Sequence, residues 1–473
     1  MFSYLHRGKG FYRSMGCLAL PIILQNLVTN SLGLVDTFMV GSLPGDAPMA
    51  AVSLANIPIF VILLVIFGLQ SGSSVLISQF WGKGDTDSIN RVLGIGVYVA
   101  GAITAAFALV TFFFPLQFMS LFSDNAELIP IAAGYARIVG FSYLFNSVTQ
   151  VYIAAHRSME NPKLGLYILS VSMCSNTFLN WVFIFGNLGA PALGVDGAAV
   201  ATLSSRILEF IVMAVYALRN RRFKLRPALI LRPGRALLGS YLRYATPVVV
   251  NETMWGLGTA LYPTIMGHME GSTEILAAYA LSGNIEKVCT VAVFAVAGTA
   301  AIIVGREIGA GRSNTVYEVG AAMNLVAFAG GLIIGILMIL AAHLLFGPLL
   351  YPIFNLSGAA KEFATMMLTV TGAFLALRSF NSTNIVGVLR GGGDVRAATV
   401  IDLTPLWLVA LPLAALAGLV FRQDILWVYL AIASEQAVKF FFGIWRFRSG
   451  RWINDVTRIS YRKGTSHSGT EDN

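Results

Sequence analysis

The sequence predicts an all-α polytopic membrane protein, and three observations support this class. Of its 473 residues, 56% are hydrophobic and only 12% are charged, whereas soluble domains have roughly 25% charged residues. Long apolar runs recur along the chain, and each approaches the ~20 residues that a membrane-spanning helix needs. Basic residues concentrate in every second connection between these runs. A soluble enzyme, a disordered chain and, with three cysteines, a secreted disulfide scaffold are excluded.

The apolar runs predict twelve transmembrane helices. A transmembrane β-barrel would instead show alternating strands of ~10 residues, and these runs are longer and more uniformly apolar. The predicted spans are residues 16–40, 50–78, 92–115, 129–153, 165–187, 195–218, 241–267, 275–304, 318–346, 363–388, 397–420 and 425–445.

The basic residues predict the orientation. Twenty-five lysines and arginines lie in the N-terminal segment, the even-numbered connections, the span ends beside them and the C-terminal tail. The odd-numbered connections and the span ends beside them contain only Lys361 and Arg422, together with eight acidic residues. Since basic loops stay on the cytoplasmic side, we expect both termini in the cytoplasm.

The net charge of +9 therefore indicates topology and contact with the lipid bilayer rather than nucleic-acid binding. Its basic residues are spread over separate short loops, and no single basic-aromatic surface is apparent. We expect no nucleic-acid partner, and we expect a monomer.

The two halves of the chain repeat each other at an offset of 226–227 residues. Pro21 matches Pro247, and Gly41 matches Gly267. Because each half has six helices, both enter the membrane from the same side, so the repeats are parallel lobes related by a pseudo-two-fold axis along the membrane normal. The predicted domains are an N-terminal lobe (1–218), a cytoplasmic linker (219–243), a C-terminal lobe (244–445) and a cytoplasmic tail (446–473).

Two such lobes favour a transporter, in which one lobe rocks against the other to give alternating access. The sequence contains no P-loop or nucleophile motif, and its histidines lack metal-site spacing, so we expect neither an enzyme nor an ATP-driven pump.

Ionisable and polar residues at membrane depth are candidate functional residues. Asp36 lies in the outer part of the first helix and could carry a proton or Na⁺. Asn176 and Asn180 share one face of the fifth helix because they are four residues apart. With Thr202 of the sixth helix they offer hard oxygen ligands for an alkali cation.

The other intramembrane charges are less specific. Asp402 could line a cavity or be structural. Arg206 with Glu209, and Glu435 with Lys439, have the i,i+3 and i,i+4 spacing of direct pairs, whereas adjacent Glu286 and Lys287 must find partners on other helices.

Several strings together resemble the multidrug and toxic compound extrusion (MATE) family, in its bacterial branch, along nearly the whole chain. They occur in the order expected for that family. The strings are Leu20–Ile22, Val35–Gly41, Ala50–Asn56, Ser78–Asp85, Asn176–Gly186, Gly194–Thr202 and Gly387–Asp394.

The resemblance implies a secondary antiporter of the bacterial inner membrane that exports organic, mostly cationic drugs in exchange for H⁺ or Na⁺. It implies no cofactor, and no metal site other than one for Na⁺. Similar proteins place a coupling site at the positions of Asp36, Asn176, Asn180 and Thr202. Asn180 occupies a position that is Asp in some relatives, and the lost charge favours protons over tightly bound Na⁺.

The resemblance also implies a coupling or substrate site in the C-terminal lobe. Many relatives carry a glutamate at the position of Glu252. The aspartate that often accompanies it on the tenth helix is replaced here by Ser379, with Arg378 beside it. Arg378 could pair with Glu252 or bind an anionic group, and it is assigned to the substrate cavity.

Two further groups of residues have expected roles. Pro21 and Pro247 each lie early in the first helix of a half, where a proline can kink the helix. Met254, Trp255 and Tyr262 could form an adaptable surface for flat cations.

The principal alternative function is a lipid-linked oligosaccharide or lipid flippase of the same superfamily, which Arg137 and Arg378 would favour and twelve spans disfavour. A major-facilitator transporter would need a Gly-x-x-x-Asp-Arg-like loop after the second helix, where this chain has Gln79–Asp85.

Overall fold

A computed structural model describes residues 8–352, 354 and 356–457 of the chain. The all-helical class is confirmed, since this described part contains no β-strand. Residues 458–473 of the predicted tail and Arg7 lie outside the described residues. The long helices, numbered here in chain order, are α1 (Lys9–Gly41), α2 (Ala47–Lys83), α3 (Thr86–Phe113), α4 (Leu128–Ser158), α5 (Pro162–Phe185), α6 (Gly194–Arg219), α7 (Arg235–Gly267), α8 (Ser272–Gly309), α9 (Ser313–Leu344), α10 (Gly358–Leu389), α11 (Val395–Val420) and α12 (Ile425–Arg448).

Each predicted span coincides with one long helix. Eleven helices of the described part are long and apolar enough to cross a membrane. The exception is α7, whose 33 residues are sufficient in length but include polar Asn251 and Glu252. Most helices extend a turn or more beyond the predicted spans, because polar residues at a helix end do not interrupt the backbone hydrogen bonds.

The helices form two compact units. The N-terminal unit contains Leu24–Val249, and the C-terminal unit contains the described residues up to Ile23 and those from Val250 onward. The units divide two residues after Pro21 and two residues after Pro247, within the helices that begin each half. These units follow contacts rather than sequence repeats, so the lobe boundaries at 218 and 244 stay a prediction.

Two glycines explain why the first part of α7 belongs to the N-terminal unit. A Cβ atom on Gly68 would lie 2.6 Å from the Cα of Val249, and one on Gly72 would overlap Ala245. The two glycines are four residues apart on α2, so they form a smooth strip against which another helix can pack at short range.

The first part of α1 packs in the C-terminal unit. Leu18 and Ile22 belong to an apolar cluster with residues of α8 and α9, among them Ile302 and Val316. Both helices are helical through Pro21 and Pro247.

Helices α10 and α11 contain π-helical turns. One covers Ser382–Leu389 at the end of α10, and two others, Leu406–Ala410 and Leu416–Val420, follow prolines in α11. Such turns shift the face on which later side chains lie, and they are frequent at functional sites. Arg390 directly follows the first of these turns, and Asp402 lies four residues before the second.

Candidate functional site

Four polar residues of the N-terminal unit form a continuous network, here called the amide cluster: Asp36, Asn176, Asn180 and Thr202. The Asn180 amide donates to Asp36 Oδ1 at 2.6 Å and to Asn176 Oδ1 at 3.1 Å. The Asn176 amide lies 3.4 Å from Thr202 Oγ1 and 3.5 Å from Ser205 Oγ. The structure thus brings together all four residues of the predicted coupling site, with Ser205 as an addition.

The local sequence explains this arrangement. Asn176 and Asn180 lie one turn apart on α5 and are fully buried. Helix α6 approaches them closely because Gly197 has no side chain, and a Cβ atom there would lie 2.6 Å from the Phe183 carbonyl carbon. Val40 and Ala198 belong to one buried apolar cluster, which joins the outer part of α1 to α6 on the side where Asp36 meets Asn180.

A buried ion pair lies beside the amide cluster. Arg206 contacts Glu209 at 2.5 Å, and Ser172 donates to the same Glu209 oxygen at 2.7 Å. This confirms the predicted i,i+3 pair. Since Arg206 is paired with Glu209, Asp36 is the carboxylate of this group that has no direct ion pair within the described residues.

Two features distinguish Asp36 as a site for a small cation. Within the described part of the chain, its carboxylate forms no ion pair, and its hydrogen-bond partner is a neutral amide. Next to it, the Asn180 Oδ1 atom is buried without a hydrogen-bond partner. An unpaired carboxylate and an unsatisfied amide oxygen can together accept a proton or ligate a monovalent cation.

The C-terminal unit contains a second network, here called the charge cluster: Glu252, Arg390, Asp402, Glu435 and Lys439. Arg390 contacts Glu252 at 2.7 Å and lies 3.7 Å from Asp402. Lys439 contacts Asp402 at 2.6 Å and also pairs with Glu435. Neutral donors complete the network, since Asn251 donates to Asp402 at 2.8 Å and Tyr262 donates to Glu435 at 3.0 Å.

One sequence interpretation is corrected here. Arg378 pairs with Glu286 of α8 rather than with Glu252, so it supplies the partner that Glu286 needed. Arg390 directly follows the π-helical turn at the end of α10. It is only 1% exposed and contacts Glu252.

The remaining predicted site residues lie on α7 near the charge cluster. Tyr262 is buried and bonded to Glu435, whereas Met254 and Trp255 are half-buried. Trp255 packs against an apolar cluster that includes Tyr262. Met254 and Trp255 are therefore more exposed than Tyr262.

The sequence analysis did not identify Arg390, Glu435 and Lys439 as parts of one network with Glu252. The available signal was the rule that charges at membrane depth pair with one another. Applied to all intramembrane charges together, that rule would have required bases for Glu252 and Asp402.

Comparison with known proteins agrees with this architecture. A family model described as MatE matches residues 21–182 and 247–416. Its two matches begin 226 residues apart, at Pro21 and Pro247. A relative, the probable multidrug resistance protein YoeA of Bacillus subtilis, is 27% identical over 435 residues, which cover 90% of this chain and 91% of that protein.

Solved structures share the fold. The eukaryotic MATE transporter AtDTX14 superposes with a TM-score of 0.82 at 17% identity, covering 96% of this chain and 100% of that one. A MOP superfamily transporter from Pyrococcus furiosus gives 0.82 at 19% identity, with 98% of each chain covered. The family match spans more than half of the chain. The chain therefore belongs to the MatE family of multi-pass membrane transporters, and it is not an enzyme.

Proposed function

We propose that the protein is a multidrug efflux antiporter that exports organic, mostly cationic compounds in exchange for an inward-moving cation. The names of relatives such as YoeA support drugs as the cargo. Alternating access of the two halves would carry the exchange. The basic connections support placing both termini on the cytoplasmic side of a bacterial inner membrane.

The coupling site we propose is the amide cluster, and the unpaired Asp36 is the observation that carries this assignment. Glu209, Glu252, Asp402 and Glu435 each contact a basic side chain, but Asp36 contacts only the Asn180 amide in the described residues. Since an uncompensated charge at membrane depth costs several kcal/mol, the ionised Asp36 favours uptake of a cation. A departing drug cation or an entering proton would meet the same need.

We propose the proton as the coupling ion, with Na⁺ as the alternative. The cluster offers one carboxylate and neutral amide and hydroxyl oxygens, and Arg206 is nearby on α6. A single carboxylate suffices for a proton, whereas tightly bound Na⁺ gains from additional charged ligands.

The half-buried Met254 and Trp255 are proposed to contact flat organic cations. The flippase alternative depends on the cationic groups of Arg137 and Arg378. Arg378 is paired with Glu286, whereas the Arg137 guanidinium lies 4.6 Å from the Phe112 ring centre and keeps its charge.

Transport in proteoliposomes tests this function. Uptake of a fluorescent organic cation is measured with an outward H⁺ gradient or an outward Na⁺ gradient, imposed separately. We expect the H⁺ gradient to drive uptake by wild type, and Asp36→Asn to reduce uptake to the level of empty liposomes. Asp124→Asn, which removes an exposed acid, is the matched control and should transport normally. Unchanged coupled uptake by Asp36→Asn would refute the assignment, and uptake driven only by Na⁺ would refute the proton.

A further inference from the structure

The side chain of Lys439 lies where two carboxylates converge. It extends from α12 and is only 4% exposed. Its Nζ atom contacts Asp402 Oδ1 of α11 at 2.6 Å and pairs with Glu435 one turn earlier on α12. The two acids are thus held by different helices and share one ammonium group.

The second oxygen of each carboxylate also accepts a hydrogen bond. Asn251 and Tyr262, both on α7, donate to the second oxygens of Asp402 and Glu435. The Arg390 guanidinium pairs with Glu252 and lies 3.7 Å from Asp402. Residues of three helices, α7, α11 and α12, therefore form a cradle around the two carboxylates. The Lys439 ammonium fills the open side of this cradle.

Such a cradle has the composition of a monovalent-cation site. Two buried carboxylates that share one ammonium group would repel each other without it, unless one of them took up a proton. A lysine ammonium is a compact point charge, so it satisfies the same requirement as a small free cation. Unlike a free cation, it cannot leave, because it is tethered to the helix.

We propose that Lys439 is a built-in cation that fills the Asp402–Glu435 site and excludes exchangeable inorganic cations from the C-terminal unit. Lys439 is then the residue that sets ion specificity there. The consequence that cation exchange is left to Asp36 rests on the proposed function. The occupancy of the Asp402–Glu435 site by Lys439 does not rest on it.

Thermal unfolding in detergent tests the occupancy without any drug or transport. All variants carry Asp36→Asn, so that the amide cluster gives no cation response. They are purified in methylammonium chloride and then compared in sodium, methylammonium and choline chloride at equal ionic strength. Lys439→Ala removes the ammonium and leaves space, whereas Lys439→Met removes the charge and fills the space.

We expect the parent to unfold at the same temperature in all three salts. Lys439→Ala should unfold several degrees lower in choline and recover saturably with sodium or methylammonium, as binding to the folded state requires. Lys439→Met should show no recovery, and Lys439→Ala with Glu435→Gln should lose it. A sodium response of the parent that Glu435→Gln removes would overturn the inference, as would a Lys439→Ala variant that responds to neither cation.

Failure of this inference is distinguishable from failure of the proposed function. Absent rescue of Lys439→Ala contradicts the built-in cation and leaves gradient-driven uptake by the wild type untouched. Absent uptake by the wild type contradicts the antiporter and leaves the unfolding result untouched.

Discussion

Asn180 is the residue that links Asp36 to the rest of the amide cluster. Its amide nitrogen donates to Asp36, while its oxygen is buried without a partner. A side-chain amide has a donor end and an acceptor end. Rotation of this amide would let its oxygen accept from a protonated Asp36, and it would break the hydrogen bond that its nitrogen donates to Asn176 Oδ1.

Replacing Asn180 by aspartate tests how the cluster selects its ion. Asn180→Asp places a second carboxylate where the Asn180 amide lies 2.6 Å from Asp36, and two like charges so close favour a cation or a shared proton between them. We expect the variant to bind Na⁺, seen as a saturable rise of its unfolding temperature in sodium over choline, and to transport with an Na⁺ gradient.

The control for this variant is Asn125→Asp, which adds the same charge in an exposed connection. It should keep the ion dependence of the wild type. An Asn180→Asp protein that folds and remains indifferent to Na⁺ would show that carboxylate number does not set the ion preference.

At the level of elements, the close approach of α5 and α6 positions the amide cluster. The contact depends on Gly197, where a Cβ atom would meet the backbone of Phe183 and Ile184. Asn180 precedes Phe183 by less than one turn, and Thr202 follows Gly197 by little more than one. A shift of either helix would therefore lengthen the contacts between Asn176 and Thr202.

Gly197→Ala should separate the two helices and lower stability. Overpacking of this kind costs about 1–3 kcal/mol, because a backbone cannot move aside as a flexible side chain can. Unfolding temperature and H⁺-driven uptake measure the effect, and both should fall.

Gly101→Ala is the matched control for this substitution. It also lies within a helix, but nothing is within 4 Å of its added Cβ atom, so we expect equal or slightly higher stability. Equal effects of the two substitutions would show that the α5–α6 contact is not special.

A feature of these elements could be predicted where it depends on residues that are close in sequence. It could not be predicted where it depends on contacts between distant parts of the chain. The positions of the twelve long helices, and the shared face of Asn176 and Asn180, are local properties, and the structure confirms both. Eleven of these helices are apolar enough to span a membrane. The partners of Glu252 are non-local. Arg390 is buried directly after a π-helical turn, and no local sequence pattern revealed that turn. Lys439 shares its charge between two helices, which spacing along α12 alone could not show.

At the scale of the whole molecule, one architecture occurs twice, but the two units balance their buried charges differently. The family matches begin at Pro21 and Pro247, and the compact units divide two residues after each of them. In the N-terminal unit, Asp36 has an amide partner. In the C-terminal unit, Glu252, Asp402 and Glu435 have Arg390 and Lys439 as internal cations. This asymmetry supports cation exchange in one unit and a fixed charge balance in the other.

The central claim is that Asp36 binds the proton that a drug cation displaces, and proton release on drug binding tests it most directly. Purified protein in weakly buffered detergent solution is titrated with a binding organic cation while a pH-sensitive dye reports released protons. Because coupling between two ligands is reciprocal, wild type should release roughly one proton per bound cation. Asp36→Asn should bind the cation without release. Equal release by wild type and Asp36→Asn, or binding by wild type without release, would contradict the account.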